Sequence, residues 1–277
     1  MRESEIPTGH RVLVVLVHHG DPRRLRSVQP TLESLVRVLQ DLGSVDQDEV
    51  WRQDTLVPVR AGDLARRRVR QWWLERRWSR YLEVSPRWFL SSGLLAVRLL
   101  QIGAPGHRRR AGRQAAVELV LTDKHVAAWK LARSRDVDLL VVLEDDARWR
   151  DDSEALVRAL LAHAAAGNRT GEAFIDLAGG LAVEALRLGH VRKPVGAGVV
   201  ESRPATNTTC AYGVGRDVVG AWVARVEGDH RLAQHPSDWL INRMFMEAEQ
   251  PVLCLHSEPT ALDHGSFVGS VPSSIRP

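Results

Sequence analysis

Glu144, Asp145 and Asp146 place three carboxylates on adjacent residues, directly after the apolar run Leu139-Leu140-Val141-Val142-Leu143. Charges this close repel, by roughly 4 kcal/mol for a pair at about 4 Å in a surface-like dielectric, so a cation is expected to offset them. Hard oxygen ligands of this kind suit Mn²⁺ or Mg²⁺ carrying a phosphate. The plainer reading is an acidic turn capping the next helix, since Asp151, Asp152 and Ser153 follow closely. Charge density immediately after a buried strand favours the metal. Lys124 and His125 stand upstream on a helical stretch. A histidine on an apolar face is ordinarily a core residue with a satisfied hydrogen bond, but a Lys-His pair leading into the acids can reach a diphosphate and balance them. Asp238 follows Ser237, a good N-cap, and lies where the helix dipole favours its ionised form. It is either a general base toward a hydroxyl or a first-turn acid that only caps. Late in the chain, His264 beside Gly265 is preferred to His256 as the residue closing the metal's coordination. His18 and His19 lack a nearby cysteine or spaced histidine and read as polar loop residues rather than metal ligands, in a loop that still lies at a strand's carboxyl end where it can face a nucleotide.

These groups need elements that bring them together. Residues 139–143 are apolar without alternation, the pattern of a strand buried on both faces. In an open α/β sheet, ligands collect at the carboxyl ends of such strands. Val12 to Val17 form a second apolar strand, which runs into His18-His19-Gly20-Asp21-Pro22; the periodicity predicts a helix over 30–42, with Gly43 just past its end. Further helices are predicted over 66–81, 89–102, 115–134 and 153–166, and strands over 173–177, 210–215 and 252–255. Residues 103–112, rich in glycine and arginine, read as a flexible basic loop. Gly196-Ala197-Gly198 and Gly213-Val214-Gly215 do not make GxGxxG, so a dinucleotide fingerprint is absent.

The chain has 277 residues, 44% of them apolar, enough for a single domain with a real core. No apolar run reaches about 18 residues, and the first ten carry charges and a proline where a signal peptide needs its hydrophobic stretch, so a cytoplasmic location is expected. Cys210 and Cys254 form no framework and are expected as free thiols. The formal charge of +4 is uneven: residues 60–113 hold 14 arginines against Asp63, Glu75 and Glu83, a local +11 that leaves −7 elsewhere. Trp72, Trp73, Trp78 and Trp88 lie among those arginines. This segment reads as an inserted helical basic lobe with three candidate roles: a cradle for an acceptor, contact with an anionic membrane or polymer, or a solvated face whose tryptophans pack inward. The uneven charge argues against a chain that coats nucleic acid, and no nucleic-acid partner is expected.

Thr122-Asp123-Lys124-His125 with Ala128-Trp129-Lys130, then Leu143-Glu144-Asp145-Asp146, Cys210-Ala211-Tyr212 and Pro236-Ser237-Asp238-Trp239 together resemble glycosyltransferase family 25, the group of lipooligosaccharide and collagen galactosyltransferases. The resemblance spans residues 115–270. It implies a GT-A-like, Rossmann-type open mixed sheet flanked by helices. It also implies a nucleotide-sugar donor, usually a UDP-sugar, with Mn²⁺ or Mg²⁺ at the acidic motif and inversion at the anomeric carbon. Mapped onto this chain, the resemblance implies that Asp146 with Glu144 holds the metal and that Asp145 approaches the ribose or sugar. The residues' own chemistry adds His264 to the metal and directs Lys124 and His125 toward the donor's diphosphate. Asp238 would activate a hydroxyl of a glycan, lipid-linked or small-molecule acceptor, and the basic lobe would allow peripheral contact with a membrane. Two rivals remain open at this point. One is an anionic-polymer or nucleic-acid binding module on an inactive transferase scaffold, and the other is a metal-dependent phosphoryl enzyme.

Overall fold

A computed structural model describes residues 9–51, 59–83, 92–179 and 192–266. Trp88 and the first three residues of the helix expected over 89–102 lie outside them. In chain order the elements are β1 (His10–His18), α1 (Pro22–Leu39), β2 (Gly43–Trp51), α2 (Ala61–Tyr81), α3 (Ser92–Gly103), α4 (Pro105–Arg135), β3 (Leu139–Glu144) and β4 (Ala147–Arg148). There follow α5 (Ser153–Ala165), β5 (Ala173–Asp176), β6 (Arg192–Gly196), β7 (Val199–Ser202), β8 (Ala211–Gly215), α6 (Arg216–Gly228), α7 (Ser237–Met246), β9 (Leu253–Ser257) and β10 (Asp263–His264).

Eight strands form one mixed sheet in the order β2-β1-β3-β8-β5-β9-β7-β6. β1 runs parallel to β2 and β3, whereas β8 is antiparallel to both β3 and β5. Alternation along the strands divides the core. Val12, Val14 and Leu16 of β1 pack with α1 and α5, and Leu13, Val15 and Val17 pack with α4, α6 and α7. β3 repeats the split, with Leu139, Val141 and Leu143 on the first side and Leu140 and Val142 on the second. Each side chain so buried contributes roughly 2 kcal/mol, which is why residues 12–17 and 139–143 are unbroken apolar runs in strands flanked on both sides within the sheet. The fold is α/β, helices covering both faces of a mixed sheet.

Four local expectations are corrected. The first helix starts at Pro22, capped by Asp21, whose Oδ1 accepts from the Arg23 amide at 2.8 Å, and it carries Pro30 in its interior. Gly43 opens β2 instead of trailing the helix: its φ is +153°, and a Cβ there would lie 2.2 Å from the His10 carbonyl oxygen. β2 itself is hidden because it is an edge strand carrying the polar run Asp46-Gln47-Asp48-Glu49. Residues 103–112 are not a loop, since α4 begins at Pro105, a residue whose missing N–H costs nothing in the first turn. Finally, Pro236 holds the N-cap position of α7, and Ser237 is its first residue.

α2 and α3 make the inserted lobe and pack on α4 and α7 through Leu64, Ile102 and Ala115 and through an edge contact between Trp78 and Trp239. Trp72 is buried beneath Arg76, but Trp73, Val97 and Leu100 stay exposed, so inward packing accounts for only part of this segment's apolar residues. Among the described residues, no helix is long and apolar enough to cross a membrane.

Candidate active site

The parallel register of β1 and β3 pairs Val17 with Glu144, so both strands end at the same edge of the sheet. β8 starts there from the opposite direction, and the Glu144 amide donates to the Cys210 carbonyl at 2.7 Å. β10 pairs with β4, setting His264 opposite Ala147, and the Gly265 amide donates to the Asp146 carbonyl. Four distant segments therefore meet at the acidic turn. They line a cavity of about 370 Å³ that contains Asp145, Asp146, Glu144, His264 and Asp238. The size suits a small-molecule ligand.

A guanidinium from α1 already lies on the acids. Arg24 Nη2 is 3.1 Å from Asp145 Oδ1 and 3.3 Å from Asp146 Oδ2, so part of the expected repulsion is offset by the protein itself. Burial still pushes the Asp145 carboxyl above its ordinary pKa, against the pull of Arg24 and His19. Asp146 Oδ2 also accepts from Ser266 Oγ at 2.9 Å and lies 3.4 Å from His264 Nδ1. Among the described residues, Asp146, Cys210 and His264 bring their ligand atoms within 4.8 Å of one another. Burial, with Asp146 and Glu144 nearby, drives the Cys210 thiol well above its usual range, and its Sγ donates to Asp146 Oδ1. The Asp146 carboxylate and the His264 imidazole, with further carboxylates beside them, are a donor set that fits a hard divalent ion.

The other expected residues are placed differently. Glu144 stands outside that trio. Its Oε1 accepts from His125 Nε2 at 3.1 Å and Thr209 Oγ1 at 2.7 Å. Burial raises the Glu144 pKa, but these partners outweigh it and hold the carboxyl at about 2. Contact of Lys124 and His125 with a donor is corrected, because both side chains are fully buried beneath the cavity. Lys124 Nζ donates to the His18 carbonyl at 2.9 Å and lies 3.1 Å from His19 Nδ1. His125 bridges Tyr212 Oη and Glu144. The pair thus holds the floor of the site, one residue behind the groups that face the cleft. His256 is buried against Asp176 and Cys254, away from the acidic turn.

Asp238 sits in the first turn of α7, half-buried, with Oδ1 accepting from the Trp239 amide at 2.8 Å. The expected stabilisation of its ionised form by the helix does not prevail. Desolvation, reinforced by Glu118 and Glu144, raises its pKa to about 7. A carboxyl poised there is matched to accept a proton near neutral pH. Asp238 also borders a second cavity of about 280 Å³ under the lobe, and the two share Gln114, Glu118 and Pro236.

His19 reads as a polar loop residue in a loop placed to face a nucleotide, and the structure sets it at the cleft, where its amide donates to Asp145 Oδ2 at 3.3 Å. Other residues of the cleft went unread in the sequence. Arg24 and Thr209 reach the acids only through tertiary contact. Arg110 enters because α4 starts early: Arg110, Gln114, Glu118 and Leu121 recur at helical spacing and turn one face to the cavity. No family model matches this chain, and no curated protein sequence does.

Proposed function

We propose that this chain is a metal-dependent glycosyltransferase of GT-A type, moving a sugar from a nucleotide-sugar donor, a UDP-sugar in the first instance, to an acceptor hydroxyl with inversion. The observation that carries the reading is a single cleft with carboxylates and an imidazole converging at Asp146 on one side and a desolvated carboxyl, Asp238, on the other. Asp146 and His264 would hold Mn²⁺ or Mg²⁺, beside Asp145 and Glu144. The ion would supply positive charge to the diphosphate as it departs.

The remaining work falls to the chain's own groups. Arg24 and Arg110 line the same cavity and suit the orientation of phosphate oxygens. The acceptor hydroxyl loses its proton to the Asp238 carboxylate while its oxygen bonds to the anomeric carbon. The bond from that carbon to the diphosphate oxygen breaks, and its electron pair leaves with the nucleoside diphosphate. Only one such base is required for a single displacement, which is why inversion is the expected outcome.

The test is release of UDP from a panel of UDP-sugars with Mn²⁺ or Mg²⁺. Release that stops on addition of EDTA is expected; no release from any donor, with either ion, rejects the reading.

A further inference from the structure

The second cavity has a charge pattern that the donor site does not explain. Four arginines line it, from the two helices of the lobe: Arg67, Arg68 and Arg70 on α2, and Arg98 on α3. Two of these are tied down. Arg67 donates to the Gln234 carbonyl at 2.6 Å and to Glu118 Oε2 at 3.1 Å, and Arg70 donates to Gln234 Oε1. Glu118 accepts from Gln114 with its other oxygen, so both of its carboxylate atoms are engaged. Arg68 and Arg98 line the cavity near enough to Glu75 to pull its pKa down against burial, and neither makes a hydrogen bond or ion pair with a described residue.

Among the described residues lining this cavity, Glu75, Glu118 and Asp238 are the acids, so the four guanidiniums outnumber them even when all three are ionised. Burial raises the pKa of Glu75, whose Oε2 is buried without a hydrogen-bond partner, and desolvation raises that of Asp238. His235, at the same wall, is held neutral by burial and by Arg243, Arg67 and Arg70, its pKa lowered to about 4. The cavity is therefore cationic at neutral pH, and it opens at Asp238 onto the cleft that holds the acidic turn. Trp239 lines it and rests edge-on against Trp78, giving a fixed aromatic surface of the kind on which sugar rings stack.

We propose that this cavity is the acceptor site and that the acceptor is an anionic sugar, a hydroxyl-bearing ring carrying a phosphate or carboxylate. Arg68 and Arg98 take the anionic group, Trp239 supports the ring, and a hydroxyl is delivered to Asp238. The inference rests on the transferase reading for the direction of transfer, but the anion preference is measurable without a donor.

Glucose 6-phosphate and glucose serve as a matched pair of probes, titrated calorimetrically into the full chain. Glucose 6-phosphate is expected to bind about tenfold more tightly than glucose, an advantage that shrinks as sodium chloride is raised. The double variant Arg68→Gln, Arg98→Gln is expected to bring the two affinities together while keeping the wild-type melting temperature and affinity for UDP with Mn²⁺. Equal binding of the two sugars by the wild type, binding of neither, or a preference untouched by the double variant overturns the proposal. Failure of the wild type to bind UDP while the anion preference persists would instead remove the transferase reading and leave the cationic sugar site standing.

Discussion

Asp238→Asn is expected to lower the rate of sugar transfer by about three orders of magnitude, the upper part of the range for a lost general base, with affinity for UDP unchanged. In the wild type the rate should climb with pH through about 7 and then level off, since the group must be ionised to accept the proton. The same substitution should make the protein more stable at pH 8. The folded pKa lies above the unfolded value of 3.8, so folding favours the protonated acid, and the native state loses stability as pH rises from about 4 to about 7. A shift of this size sets an upper bound of roughly 4 kcal/mol, and because the residue is only half-buried we expect on the order of 1–2 kcal/mol. An amide does not carry the cost. Melting curves at pH 5 and pH 8 check it: the variant should gain about 2–4 °C over wild type at pH 8 and about a third of that at pH 5. A variant that is less stable at both pH values would place Asp238 among the structural residues.

Glu144→Gln should act in the opposite direction. Its folded pKa of about 2 lies below the ordinary 4.5, so its hydrogen bonds to His125 and Thr209 stabilise the protein fully above about pH 4.5 and fade as pH falls toward 2. The corresponding contribution is about 3 kcal/mol, and its loss should lower the melting temperature by roughly 6–10 °C at pH 7. The variant should also lose most of the wild type's acid sensitivity between about pH 4.5 and 2. Because Asp146 and His264 carry the proposed metal contacts, affinity for Mn²⁺ should fall far less than stability does. A collapse of metal affinity with unchanged stability would return Glu144 to the ligand set that sequence reasoning gave it.

The sequence exposed those features that are local. β3 and the acidic exit were legible because five apolar residues end abruptly at charge, and α5, α7 and the central strands announced themselves through periodicity or unbroken apolar runs. β2 and the first turns of α4 were missed for the same underlying reason: an edge strand with four consecutive polar residues and a helix opening on proline and glycine both resemble loops in composition. At the site, the acids and Asp238 were found, but the offset by Arg24, the support of Glu144 by Thr209 and the role of His19 depend on contacts between residues more than 60 positions apart. Lys124 and His125 show the limit most clearly. Their types suggested contact with a diphosphate, and only the packing of α4 against the sheet reveals that both point into the core.

Calorimetric titration of UDP into the wild type and into Asp146→Asn, each with Mn²⁺ and again with EDTA, bears most directly on the claim that a divalent ion at the acidic turn grips the donor's pyrophosphate. Measurable binding is predicted only for the wild type with Mn²⁺, the variant retaining the wild-type melting temperature. Equal binding in EDTA, or undiminished Mn²⁺-dependent binding by Asp146→Asn, would contradict it.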